Sequence, residues 1–122
     1  MRAHNGTLAG RSILIVEDEP LIVLEVHAAF NAAGARIVSA ANKKEALRMI
    51  SLPGLSAAVV DMNLSGHDCS DGCKRLSDSG IPFVFYTGDA RADILRKWPD
   101  APILTKLADK QRIVEVVAGV LR

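Results

Sequence analysis

The sequence predicts one doubly wound α/β domain, a parallel five-stranded sheet covered by helices on both faces. Three observations predict it. Short continuous apolar runs alternate with segments of helical spacing, glycine or proline punctuates the joins, and the chain's 122 residues are the length of one domain. A chain of that size buries roughly two-thirds of the surface its unfolded form exposes, enough for a single core.

The apolar runs are Ile13-Leu14-Ile15-Val16, Ile37-Val38, Ala57-Ala58-Val59-Val60, Phe83-Val84-Phe85 and Ile103-Leu104. Runs this short and unbroken suit strands buried on both faces. Helices are expected between and after them, over Pro20 to Ala33, Lys43 to Leu52, Asp71 to Ser79, Arg91 to Trp98 and Lys110 to Leu121. Pro20 opens the first with its φ already helical, and Gly34, Gly54 and Gly80 follow the ends of the first three. In the last helix Ile113, Val116, Val117, Val120 and Leu121 form one stripe, as a helix lying on a sheet requires. Alternating strands and helices imply right-handed crossovers and a parallel sheet covered on both sides, for which a flavodoxin-like (βα)5 arrangement of strand order 2-1-3-4-5 is expected. Met1 to Arg11 reads as a flexible polar tail, and residues 12–122 as the one domain, with none after it.

Lys+Arg 15 against Asp+Glu 14 leaves a formal charge of +1, so bulk attraction to nucleic acid or to an anionic membrane is not expected. No apolar run approaches the ~18 residues of a membrane span, and the first residues hold no signal-type segment, which points to the cytoplasm. Cys69 and Cys73 lie four positions apart, matching neither a CxxC redox pair nor a zinc knuckle, and read as two thiols near a helix start.

In an open parallel sheet, ligands bind beyond the carboxyl ends of the strands, so the residues ending each run carry the chemistry. The first run ends in Glu17-Asp18-Glu19, the third in Asp61-Met62-Asn63, the fourth in Thr87-Gly88 and the fifth in Thr105-Lys106. With the order 2-1-3-4-5 these groups converge on one pocket. Carboxylates so placed repel one another unless a cation sits among them, and Mg2+ suits oxygen ligands. Lys106 adds a second positive centre and Thr87 a donating hydroxyl, together the equipment for stabilising a phosphoryl group in transfer. Singly, each residue has a bland reading: Asp18 or Glu19 as a helix-end acid, Asp61 as a turn residue, Thr87 as a loop hydroxyl, Lys106 as a surface charge.

The combination resembles the receiver domain of bacterial two-component response regulators. The resemblance runs from about Ser12 to Leu121. It is carried by Ile15-Val16-Glu17-Asp18-Glu19-Pro20, by Val60-Asp61-Met62-Asn63-Leu64-Ser65-Gly66, by Tyr86-Thr87-Gly88 and by Lys106. It implies that Asp61 is the phosphoacceptor, taking a phosphoryl group from a phosphohistidine on a partner histidine kinase or phosphotransfer protein. It implies further that Glu17 and Asp18 hold Mg2+, Asp18 more directly, and that Asn63 lends its backbone carbonyl. Lys106 would contact the phosphoryl oxygens, and Thr87 would move to bond the new phosphate. The resemblance leaves the output open: relaying phosphate onward, draining it from a kinase, or binding a target protein or a second copy through the face formed by the last two helices and the fifth strand. Ile81-Pro82-Phe83-Val84-Phe85-Tyr86-Thr87-Gly88 resembles the PFxFATG signature of an alphaproteobacterial subgroup called FAT GUY, linked to HWE-type kinases. Tyr86 stands where that subgroup has Ala, and Asp89 where it has an aromatic.

Two departures bear on mechanism. Ile103 stands where many receivers carry a switching Tyr or Phe, so signalling is expected to rest on Thr87 and on reordering of Gly88 to Trp98. Leu107 replaces the usual proline after the lysine; a trans peptide is expected there, since a non-proline cis bond costs ~3 kcal/mol. Tyr86 is expected to pack with its hydroxyl in water, His67 to be a solvated loop residue, His27 to lie on the surface of the first helix, Asp68 and Asp71 to cap the third, and Trp98 to anchor packing.

An enzyme is not expected beyond self-phosphorylation and dephosphorylation. An aspartyl-nucleophile phosphatase wants a second acid two residues on, where Asn63 stands, and no GxGxxG or GxxxxGK[ST] loop follows the first strand. The rival within the family is a docking module that takes no phosphate, a reading for which Ile103 and Leu107 are the grounds.

Overall fold

The computed structural model describes residues 6–64 and 67–121, with residues 67 and 68 as backbone only. Its elements in chain order are β1 (Ser12–Val16), α1 (Pro20–Ala32), β2 (Arg36–Ala40), α2 (Lys43–Ile50), β3 (Ala57–Val60), β4 (Asn63–Leu64), β5 (His67–Asp68), α3 (Ser70–Asp78), β6 (Phe83–Thr87), α4 (Ala92–Lys97), β7 (Ile103–Thr105) and α5 (Lys110–Val120). The main sheet is parallel in the order β2-β1-β3-β6-β7, which is the expected 2-1-3-4-5. The two-residue antiparallel pair β4–β5 was not anticipated; strands so short leave no periodicity to read.

Strand alternation splits the core in two. Ile13, Ile15, Ala57, Val59, Val84 and Tyr86 face one side and pack with Val26 and Phe30 of α1 and Ile113 and Val117 of α5. Leu14, Val16, Ala58, Val60, Phe83 and Phe85 face the other, against Ala46 and Ile50 of α2, Cys73 and Leu76 of α3 and Ile94 of α4. Both cysteines are packed in that second core. The α5 stripe is rotated slightly from expectation, with Val114 fully buried and Val116 only partly. Burial on both faces holds for β1, β3 and β6. It fails for the edge strands, where Arg36, Ser39, Ile103 and Thr105 are exposed, because an edge strand has a neighbour on one side alone.

Local chemistry sets the helix ends. Asn42 accepts from Glu45 N while Glu45 accepts from Ala41 N, a reciprocal cap for α2, and Asp109 accepts from Gln111 N at α5. The capping role expected of Asp71 is not observed. Cys69 is the N-cap of α3 and its side chain makes no capping hydrogen bond, and Asp71 pairs across to Lys43 of α2. The Asp68 side chain lies outside the described residues. Trp98 follows α4 and meets Phe83 edge to face at 6.3 Å, so it is the anchor expected.

The loose tail expected over Met1 to Arg11 is corrected from residue 6 onward. Leu8 is buried in the α1–α5 core, and its N–H donates to Ala33 O at 2.9 Å. Gly34 permits this approach: its φ is +90°, and a Cβ there would come 3.3 Å from Gly6 Cα. A single leucine among polar residues has no sequence period, so only the fold shows where it goes. Among the described residues, no helix is long and apolar enough to cross a membrane.

Leu8→Ala is expected to lower the unfolding free energy by about 2 kcal/mol or more in urea titration, as for other buried leucines. An unchanged midpoint would show that this segment adds nothing to the core.

Candidate functional site

Backbone bonds just past the strand ends set the site residues in one row. Glu17 N donates to Ala40 O, Asp61 N to Val16 O and Lys106 N to Thr87 O, each at 3.0 Å, so the ladders continue one step beyond β1, β3 and β7. Val16 is paired with Val60, which brings Glu17 and Asp61 level on adjacent strands.

Asp61 is buried, and both its carboxylate oxygens are engaged. Oδ1 accepts from the Thr87 hydroxyl at 3.0 Å and from Asn63 N at 3.1 Å. Oδ2 accepts from Lys106 Nζ at 2.9 Å. The same ammonium lies 2.8 Å from Glu17 Oε1, so one cation bridges two buried acids from neighbouring strands. The other Glu17 oxygen accepts from Glu19 N at 3.0 Å, and Glu19 itself makes no side-chain cap to α1. Asp18 is exposed at the rim, with a carboxylate oxygen within 4.8 Å of those of Glu17 and Asp61.

Burial pushes the Glu17 carboxyl above its ordinary range, and the nearby Asp61 adds to this, while hydrogen bonds from Lys106 and Glu19 N partly oppose it. Burial alone would lower the Lys106 ammonium, but its hydrogen bonds to Glu17 and Asp61 outweigh that and raise it above the lysine value. Three carboxylates gather here, two of them buried and one at the rim. The donor set of hard oxygens therefore fits a divalent cation such as Mg2+.

Glu17, Asp18, Asp61, Asn63, Thr87 and Lys106 all lie at this edge. Asn63 offers its N–H to Asp61 and its side-chain amide to Asp89 O at 3.3 Å, tying the loops after β3 and β6 together. Asp89 N also meets Thr87 Oγ1 at 3.4 Å. Sequence reasoning missed Met62, fully buried, whose sulfur accepts from Arg91 N at 3.3 Å and holds the loop before α4. Nothing in the residue types signals that contact. Tyr86 corrects a further expectation: its hydroxyl is not in water, since the residue is 2% exposed and donates to Lys106 O at 3.3 Å. Leu107 is 95% exposed and follows a trans peptide, there being no cis bond among the described residues. Its presence in place of proline does not keep Lys106 out of the pocket. His27 is exposed as expected, and the His67 side chain lies outside the described residues, as do Ser65 and Gly66. A cleft of about 730 Å3 beside Pro82, Trp98 and Pro102 opens at the opposite edge of the sheet and contains none of these groups.

The family profile of the response regulator receiver domain matches residues 13–118. No curated protein matches the chain. Among solved structures, SdrG from Sphingomonas melonis is 30% identical, with a TM-score of 0.80 over 92% of this chain and 97% of its own. A response regulator receiver protein from Sinorhizobium medicae is 22% identical, with a TM-score of 0.82 over 92% of this chain and 94% of its own. The receiver domain of a sensor histidine kinase from Pseudomonas aeruginosa, whose structure has magnesium coordinated in its active-site cleft, is 20% identical, with a TM-score of 0.79 over 93% and 98%. With the profile spanning β1 through most of α5 and the acid, hydroxyl and ammonium groups gathered at one sheet edge, the chain belongs to the response regulator receiver domain family.

Proposed function

We propose that Asp61 accepts a phosphoryl group from the phosphohistidine of a partner histidine kinase or phosphotransfer protein and that the chain signals the change to another protein. The observation that carries this is the environment of the Asp61 carboxylate. It is buried at the end of β3, met by a hydroxyl and an ammonium, with two further acids beside it.

In the transfer, an oxygen of Asp61 attacks phosphorus, the phosphorus–nitrogen bond breaks, and the imidazole departs with the electron pair. Hydrolysis of the resulting acyl phosphate returns the carboxylate and inorganic phosphate. Glu17, Asp18, Asp61 and the Asn63 carbonyl would hold Mg2+, which supplies charge neutralisation for the incoming phosphoryl oxygens. Lys106 stands 2.9 Å from Oδ2, where a phosphoryl group on that oxygen needs a positive charge. Thr87, now bonded to Oδ1, can transfer its hydroxyl to a phosphoryl oxygen, carrying the loop from Gly88 toward α4 with it. That movement would alter the α4–β7–α5 face, through which a target or a second copy is reached. The PFxFATG-like stretch from Ile81 supports the FAT GUY assignment and, with it, an HWE-type donor in the cytoplasm. The Lys106–Asp61 contact favours this reading over a docking module that takes no phosphate.

Incubation with acetyl phosphate and Mg2+ is expected to add one labile phosphate by intact mass, and Asp61→Asn to take none. An adduct of equal yield on Asp61→Asn would overturn the assignment. Lys106→Ala is expected to slow the reaction by roughly a hundredfold, the usual loss when one donor to a developing anion is removed. The raised Glu17 carboxyl gives a stability prediction as well. The native state holds that proton more tightly than the unfolded chain, so ionising Glu17 costs stability as pH rises from its ordinary 4.5 through the raised native value. Without Mg2+, Glu17→Gln should therefore melt higher than the wild type near neutral pH. The gap should close below pH 4.5 and shrink when Mg2+ is added.

A further inference from the structure

Lys106 must place its ammonium within 2.9 Å of two carboxylates, yet its backbone sits in a poorly supported place. It follows β7, a three-residue strand that pairs with β6 alone, and it precedes Leu107, which is 95% exposed. The adjoining side chains, Thr105 and Leu107, are both exposed, so packing does not hold the chain there. A local turn spans it, with Leu107 N donating to Thr105 Oγ1 at 3.3 Å and Ala108 N to Thr105 O at 2.9 Å, and two further backbone contacts tie it to the end of β6. Lys106 N donates to Thr87 O at 3.0 Å, and Lys106 O accepts from the Tyr86 hydroxyl at 3.3 Å.

The Tyr86 ring is itself immobilised. It is 2% exposed in the core formed with Ile113, Val114 and Val117, and the Lys110 ammonium of α5 lies 5.8 Å from its centroid. Lys110 in turn reaches Glu25 of α1 at 3.4 Å. A rigid phenol anchored in the α1–α5 core thus presents its hydroxyl to the one carbonyl whose position sets the root of the Lys106 side chain.

We propose that Tyr86 is a positioning residue for phosphoryl transfer, acting through Lys106: its hydroxyl fixes the Lys106 carbonyl and so holds the ammonium against Asp61. The inference rests on the phosphoacceptor reading of Asp61 for its kinetic consequence but not for its structural one. A displacement of an ångström at the backbone is enough to lose contacts of 2.8–2.9 Å, and misplacement on that scale is costly in reactions that depend on positioned charge.

Tyr86→Phe tests it, because it keeps the ring in the core and removes only the hydroxyl. With acetyl phosphate and saturating Mg2+, the rate of Asp61 phosphorylation should fall roughly threefold to tenfold, the worth of one net hydrogen bond, while Mg2+ affinity stays within about twofold. In a Lys106→Ala background the same substitution should change the rate no further, which a general loss of packing would not reproduce. By amide hydrogen exchange, Tyr86→Phe should speed exchange at Lys106, Leu107 and Ala108 and leave β1 and β3 protected. An unchanged rate, an equal loss in the Lys106→Ala background, or exchange raised across the whole sheet would each overturn the proposal. If the wild type accepts no phosphate, it is the function of Asp61 that fails, and the exchange pattern alone then decides the role of Tyr86.

Discussion

The Lys106 ammonium lies between Glu17 and Asp61, and this bridge is the contact on which the pocket depends. Two buried carboxylates on adjacent strands would otherwise face each other across a sheltered gap, and one would resist ionising. A lysine supplied from the sheet edge gives both carboxylates a charged hydrogen-bond partner. The compensation is incomplete, since Glu17 still sits above its ordinary range and Asp18 adds a third acid at the rim. The unbalanced charge suits a site that acts with a divalent cation.

The bridge has this geometry because of the sheet. Parallel register brings Glu17 and Asp61 level, and the ladder bonds past the strand ends give each side chain a defined origin. Apolar cores on both faces hold those strands from the two sides, so the polar groups are carried on a rigid edge. The loops above it are tied by lighter contacts, Asn63 to Asp89, Arg91 to Met62 and Thr87 to Asp61. A rigid floor under more weakly held loops is the arrangement a switch requires, because a few hydrogen bonds at the floor can redirect the loops without disturbing the core.

Where this chain departs from the common receiver pattern, β6 compensates for the edge strand. Ile103 is 39% exposed and cannot swing an aromatic ring inward, and Leu107 projects into solvent. Thr87 engages Asp61 directly and Lys106 through its backbone, while Tyr86 engages the Lys106 carbonyl from the opposite core. Two consecutive residues on one strand, their side chains on opposite faces, thus contact Asp61 and the lysine that pairs with it.

Much of the fold was legible in the chain. The short apolar runs, Pro20 and the glycines after the helices define the alternation, and with right-handed crossovers that alternation gives a parallel sheet covered on both faces, whose order 2-1-3-4-5 is the flavodoxin-like one. The site groups were legible for a related reason: each directly follows an apolar run, and a parallel sheet sends all such positions to one edge. What lacked a local pattern needed the tertiary structure. Leu8 finds the core through a close approach at Gly34, and β4 and β5 are too short for periodicity. The Tyr86 hydroxyl meets a carbonyl 20 residues away, and Met62 takes a hydrogen bond from Arg91. Sequence alone determined which groups reach the sheet edge, because strand period and chain order are local. Which of them touch was decided only in three dimensions, because those distances depend on register and packing between segments far apart in the chain.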